Sequence, residues 1–188
     1  MKISVNKMVK MSVLTALSIV LIILIRFPII PSASFLVYEP ADVPILIGTF
    51  IFGPIAGLVI TFMVALIQAI LLNPNGGWVG FIMHLIATGT LVLVAGIIYK
   101  RIHSIKGAIL GLLAGCISMT LIMIPANYFF VVNFYGMSFQ AVTAYIYSAA
   151  IPFNLIKSFV NSFIVLLVYK HIGRVFRGFD NLSSKRRS

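Results

Sequence analysis

The sequence predicts an all-α membrane protein: a bundle of six transmembrane helices with the N- and C-termini cytoplasmic. Three observations carry that reading. Of 188 residues, 61% are hydrophobic and only 9% are charged, whereas a soluble domain is nearer a quarter charged. Apolar runs occupy 8–27, 42–73, 78–100, 106–133 and 150–173, and roughly 20 such residues cross ~30 Å of hydrocarbon. Twelve of the 14 Lys and Arg residues fall outside these runs or within their end turns, in three clusters, Lys2, Lys7 and Lys10; Lys100, Arg101 and Lys106; and Lys170, Arg174, Arg177, Lys185, Arg186 and Arg187. Cytoplasmic connections collect such cations, so the net charge of +11 marks membrane edges rather than a nucleic-acid surface.

The first helix is expected at 8–27. Its basic start, apolar core and Ser32-Ala33-Ser34 loosely resemble a secretory leader, but Arg26, Pro28 and Pro31 make an irregular approach to such a site. Retained, the segment is the first membrane helix. The run 42–73 would span about 48 Å as one helix. Gly53-Pro54 lies near its middle, and proline removes a helix hydrogen bond and clashes with the preceding turn. As one kinked span the chain would have five helices, with the last two basic clusters opposite the first. Split into 42–53 and 54–73, it has six, and all three clusters face one side. The connections 28–41, 74–77 and 134–149 hold no Lys or Arg, which favours the split. Helices at 78–100, 106–133 and 150–173 complete one substrate-binding domain over 1–188, which ends in a basic tail, 174–188, expected to be loose after Arg177. Gly107, Gly111 and Gly115 form a small-residue stripe suited to helix packing, as do Ser12 and Ala16.

The last helix raises the functional question. Asn154, Lys157 and Asn161 lie within it, spaced i, i+3, i+7, hence within about a 60° arc of one face. Ionisable residues inside a membrane are costly and usually face an interior or a watery cavity. Lys157 sits about 10 Å from the outer end, too deep to snorkel easily. That face suits a pocket for an elongated polar molecule, open outward; a structural ion pair is the alternative. Glu39 and Asp42 are the acids near the outer mouth of the second helix. Either suits an ion pair with Lys157 or a cap, and Asp42 before Val43-Pro44 fits an N-cap with proline just inside. Asn127 and Tyr128 after Pro125 are further candidates, with Asn133 at the outer helix end. Trp78 reads as an interfacial anchor or a stacking partner, and His84 as a helix–helix hydrogen-bonding group or a ligand contact. Tyr38, Tyr128 and Tyr135 suit a flat aromatic ligand.

Several chemistries lack their residues. There is no Gly-rich phosphate loop ending in Lys-Ser/Thr, no His-Glu-x-x-His and no paired carboxylates on a membrane helix. The single cysteine, Cys116, has no metal-ligand companions in sequence. The expected activity is binding, with no enzyme chemistry, metal or cofactor.

Three stretches, "FLVYEPADVPILIGTFIFGPIAGLVI" (35–60), "NPNGGWVGFIMHLIATG" (73–89) and "IPFNLIKSFVNSFI" (151–164), resemble in order the riboflavin-binding S components of energy-coupling factor (ECF) transporters. The Tyr-x-Pro-x-Asp-x-Pro and Pro-Phe-Asn-x-x-Lys pieces carry most of the specificity. The resemblance implies six helices, riboflavin as transported ligand near the outer face under 28–41, and contacts from Asn154 and Lys157, then Glu39, Asn127 and Asn161. It implies a multi-pass protein of a bacterial plasma membrane, working with a membrane coupling subunit and two ATP-binding subunits. The helix-1 contact for the coupling subunit carries over onto Ser12 and Ala16, with serine where the family's pattern has alanine. Two alternatives stay open: an S component for a different vitamin, and a small membrane enzyme acting on lipids or isoprenoids, which three carboxylates in the whole chain disfavour.

Overall fold

A computed structural model describes the backbone of residues 5–72 and 77–185, with side chains up to residue 169. The described chain is built from helices: α1 (Val5–Leu24), α2 (Asp42–Phe52), α3 (Pro54–Ile67), α4 (Gly77–Arg101), α5 (Ile105–Tyr135), α6 (Phe139–Tyr145) and α7 (Ile151–Lys185). α3 runs on through a π-helical turn, Gln68–Leu72, and a second π turn, Ile146–Ala150, joins α6 to α7 as one rod. Between α1 and α2 lie two short antiparallel strands, β1 (Phe27–Pro28) and β2 (Val37–Tyr38), with Phe27 opposite Tyr38.

Among the described residues, five helices are long and apolar enough to cross a membrane: α1, α3 with its π turn, α4, α5, and the rod from Phe139 to Tyr169. α2 is a shorter apolar helix of 11 residues, about 16 Å long. The break after α2 has a local cause. Gly53 adopts φ 92°, a region costly for residues with a Cβ, and Pro54 then opens α3 at a position where its missing N–H is harmless. Position 96 on α4 must be small: a Cβ on Gly96 would fall 2.8 Å from Pro54 Cβ.

The core is aliphatic. Ile45, Leu46, Ile60, Leu91, Leu112 and Met119 are almost wholly buried, whereas Val13, Ile55, Leu110, Ile117, Leu121 and Phe163 are exposed, as expected where the solvent is acyl chain. α4 and α5 pack together more extensively than any other pair. The glycine stripe explains why: a Cβ on Gly111 would lie 2.8 Å from the Ala95 carbonyl oxygen, and one on Gly115 3.0 Å from that of Leu91. The stripe therefore serves packing within the bundle, by close backbone approach.

Two expectations are corrected here. The connection expected at 134–149 shrinks to 136–138. Gly136, at φ 66°, ends α5, and the Ser138 hydroxyl accepts from the Ala141 N–H to start α6. Ser138, Gln140 and Thr143 dilute the hydropathy there, and hydropathy reports apolarity, not helicity. The tail, expected to be loose after Arg177, is helical backbone through Lys185; residues 186–188 lie outside the described residues. So do Lys2, Asn73 and residues 74–76 of the connection expected at 74–77.

Candidate functional site

The β1–β2 connection folds inward and delivers Tyr38, Glu39 and Asp42 to the bundle interior, each at most 6% exposed. Asp42 is the junction. Its Oδ1 accepts from the Thr88 hydroxyl of α4 at 2.9 Å, and its Oδ2 accepts from Asn161 Nδ2 of α7 at 3.1 Å. The N-cap role expected for Asp42 is not what the structure shows. It is the first residue of α2, the cap position is Ala41, and no side chain caps the helix. Bonds from two other helices outcompete a local one, because buried polar groups must be satisfied wherever donors are fixed.

Asn161 is spent the same way. Its Oδ1 accepts from the Tyr38 hydroxyl at 2.8 Å, while Nδ2 serves Asp42 and, at 3.4 Å, the Glu39 carbonyl. One amide hydrogen is thus engaged by Asp42, and the other faces the Glu39 carbonyl at a distance too long for a strong bond. Desolvation, and then the Asp42 charge, push the Tyr38 phenol above its ordinary pKa.

Glu39 is held by residues that sequence reasoning missed. Arg26 Nε lies 3.3 Å from its Oε1, and Gln68 Nε2 donates to its Oε2 at 2.6 Å. Arg26 also donates to the Leu72 carbonyl at 3.2 Å, joining the end of α1 to the π turn after α3. Burial raises the Glu39 carboxyl above its usual range, opposed first by the charge of Lys157 and then by that of Arg26. An amide in the interior of the apolar run 54–73 was the available signal for Gln68.

One helical turn from the Asp42 junction stand two unspent groups. His84 precedes Thr88 by four residues on α4, and Lys157 precedes Asn161 by four on α7, so each sits one turn along the same face. Lys157 is only 8% exposed, yet among the described residues its ammonium has no hydrogen bond or ion pair; its neighbours are the Phe153 ring, centred 6.0 Å away, and, electrostatically, Glu39 and His84. Among the described residues three buried polar atoms lack partners: His84 Nε2, Gln68 Oε1 and Asn127 Oδ1. Asn127 and Asn154 each donate Nδ2 back to the carbonyl four residues earlier, of Met123 and Ala150. α5 and α7 meet where Cys116 Sγ contacts Ser162 Oγ. Counting from there at 1.5 Å per residue, Asn127 and Asn154 lie within about 5 Å of the same level. A cationic donor, a carboxyl and orphaned amide and imidazole atoms in a sealed interior suit a neutral, polar, multiply hydrogen-bonding ligand.

The other candidates have different surroundings. Trp78 is 54% exposed and meets Phe130 and Phe134 edge to face. Tyr128 donates its hydroxyl to Thr143 and stacks on Phe139, which fastens α6 to α5. Asn133 donates to the Phe129 carbonyl. Ser12 and Ala16 lie on the exposed face of α1, where the Ser12 hydroxyl donates to the Met8 carbonyl.

The description "ECF transporter, substrate-specific component" matches residues 6–169. The chain is similar to riboflavin transporter RibU of Staphylococcus aureus, 33% identical over 178 residues that cover 92% of this chain and 93% of that one. It is also similar to riboflavin transporter FmnP of Bacillus subtilis, 29% identical over 173 residues covering 88% and 90%. Among solved structures, the S component of a bacterial ECF transporter superposes with a TM-score of 0.78 at 33% identity, covering 91% of this chain and 97% of that one.

Proposed function

The chain belongs to the substrate-specific components of ECF transporters, and from that premise we propose that it captures riboflavin at the outer face of a bacterial plasma membrane for ATP-driven import. Members of this family are transporter components and not enzymes, so the lipid-enzyme alternative is set aside. ECF S components work with membrane and ATPase components; two ATP-binding subunits and one coupling subunit complete the proposed assembly.

The observation that carries the ligand reading is the buried Lys157 ammonium, without a hydrogen bond or ion pair among the described residues, together with the buried polar atoms of His84, Gln68 and Asn127 that lack protein partners. Riboflavin offers ring carbonyls to Lys157, an imide N–H to an amide oxygen such as Asn127 Oδ1, and ribityl hydroxyls to Gln68 and Glu39. Being neutral, it does not need a second buried cation. Asn154 and His84 complete the proposed contacts, with Asn161 holding the wall. Tyr128 and Trp78 stand at the rim of this proposed site. On this reading residues 1–188 form one substrate-binding unit, α2 counts as a short sixth span, and both termini lie in the cytoplasm with the basic clusters. Ser12 and Ala16, exposed on α1, form the proposed contact with the coupling subunit.

Purification from a riboflavin-containing culture is the test. The protein should be yellow, its flavin fluorescence quenched, and mass spectrometry of the released small molecule should give riboflavin. Release of a different vitamin would replace the substrate and keep the architecture. Release of none, with no quenching on titration, would overturn the reading.

A further inference from the structure

At the other end of the bundle from Lys157, α3 begins and α4 ends beside a cleft of about 510 Å³, lined by Pro54, Ile55, Leu93, Ile97, Lys100 and Arg101. Its composition is graded. Leu93, Ile97 and Lys100 follow one stripe of α4, at i, i+4, i+7, so the wall passes from aliphatic to cationic in the direction in which that helix leaves the hydrocarbon. Lys100 and Arg101 occupy the last turn of α4, and both are exposed. Among the described residues neither has an acidic partner: the ion pair found there, Arg26–Glu39, belongs to the ligand site. Ile55 is 68% exposed and Ile97 45%, so the apolar walls are open to whatever fills the cleft.

We propose that this cleft is a binding site for an anionic phospholipid, with one acyl chain along Ile55, Leu93 and Ile97 and the headgroup phosphate held by Lys100 and Arg101. The chemistry favours a lipid over a soluble anion. A free phosphate would satisfy the cations and leave the aliphatic walls unfilled, while a zwitterionic lipid would fill the walls and present its own cation to Lys100 and Arg101. Arg suits bidentate phosphate contact and Lys adds a point charge. The first turn of α3, with Pro54 and Ile55 in the wall, adds a favourable dipole to a site that stands on the cleft and its two cations. The break at Gly53 explains why a cleft exists there at all: two helices end where α4 would otherwise be covered.

The test uses the full chain purified in detergent, with phosphatidylglycerol, phosphatidylcholine or inorganic phosphate added. Native mass spectrometry should show retained phosphatidylglycerol in preference to phosphatidylcholine. The double variant Lys100→Gln, Arg101→Gln should reduce that preference about thirtyfold, at roughly fivefold per cation near an anionic headgroup, while riboflavin binding stays normal. Ile97→Trp keeps both cations and fills the apolar part of the cleft; it should lower phosphatidylglycerol retention as well. If the double variant loses riboflavin binding, its fold is disturbed, and the single variants Lys100→Gln and Arg101→Gln are judged by the same criterion. Equal retention of both lipids by the parent, an unchanged preference in the charge variants, or displacement of lipid by millimolar inorganic phosphate would each overturn the proposal. Because riboflavin binding is read separately, failure here leaves the transport reading untouched.

Discussion

Replacing Asn161 by Leu tests whether the junction at Asp42 holds the bundle together. Leucine has the same number and branching of side-chain heavy atoms, so the dominant perturbation is the loss of hydrogen bonds. It deprives the Tyr38 hydroxyl of its acceptor at 2.8 Å and Asp42 Oδ2 of its donor at 3.1 Å. The Glu39 carbonyl contact, at 3.4 Å, is long enough to neglect. Each orphaned buried group costs about 1–3 kcal/mol, with charged acceptors at the upper end, so about 4 kcal/mol is expected for the two. At roughly 2–4 °C per kcal/mol for a chain of this size, the melting midpoint should fall by about 8–16 °C. Cys116 supplies the assay: it is a buried free cysteine, so a thiol-reactive dye reads unfolding directly. Tyr38→Phe should cost less, and the double variant should cost about 1 kcal/mol less than the sum, because both changes break one shared bond. A fall of under about 3 °C for Asn161→Leu, or strict additivity, would refute the claim that this network fastens α2 to α7.

Lys157→Ala should leave melting nearly unchanged and weaken riboflavin binding about ten- to a hundredfold, the worth of a hydrogen bond to a charged group; titration by fluorescence quenching measures it, and tighter binding of the phosphorylated flavin by the parent would show instead that the ammonium meets a phosphate. Ala16→Trp should preserve riboflavin binding by the purified subunit and abolish uptake in cells that contain the coupling components, whereas loss of both would place Ala16 in internal packing. Burial raises the Glu39 carboxyl, so the folded protein retains a proton there at a pH where the unfolded chain has released it; the stability this gives is complete below the ordinary carboxylate pKa and is lost as pH rises through the raised folded value. Glu39→Gln should therefore flatten that limb of a melting-temperature profile against pH, and an unchanged slope would exclude Glu39 as its source.

What the sequence revealed was local and periodic. The break at Gly53-Pro54, the spans near 78–100 and 106–133, and the shared face of Asn154, Lys157 and Asn161 all follow from residue identity and helical repeat. The contacts that build the site do not. Tyr38 meets Asn161 across 123 positions, and Arg26 reaches the Leu72 carbonyl across 46; no spacing rule forecasts such pairs, since they depend on how helices pack. Asp42 was misread for that reason. Its local pattern is that of a cap, while its partners come from two other helices. The helix at 139–150 was hidden differently, by a polar fraction that lowers hydropathy without preventing a helix.

α1 has a consequence for assembly. Its inward face is narrow, Leu14, Ser18 and Ile22, and only 22% of its apolar window is buried, against 50% for α5. Near the site the helix itself is tethered by the Ser18 hydroxyl, which donates to the Ala41 carbonyl at 3.0 Å next to the Asp42 junction, and just past its end by Arg26, bound to Glu39 and the Leu72 carbonyl. A helix so lightly embedded is the one whose tilt can change at least cost to the rest. On the proposed reading, a coupling subunit would dock along α1 as a ship is moored along one fender, while the helices joined at Asp42 behind it keep their mutual registry.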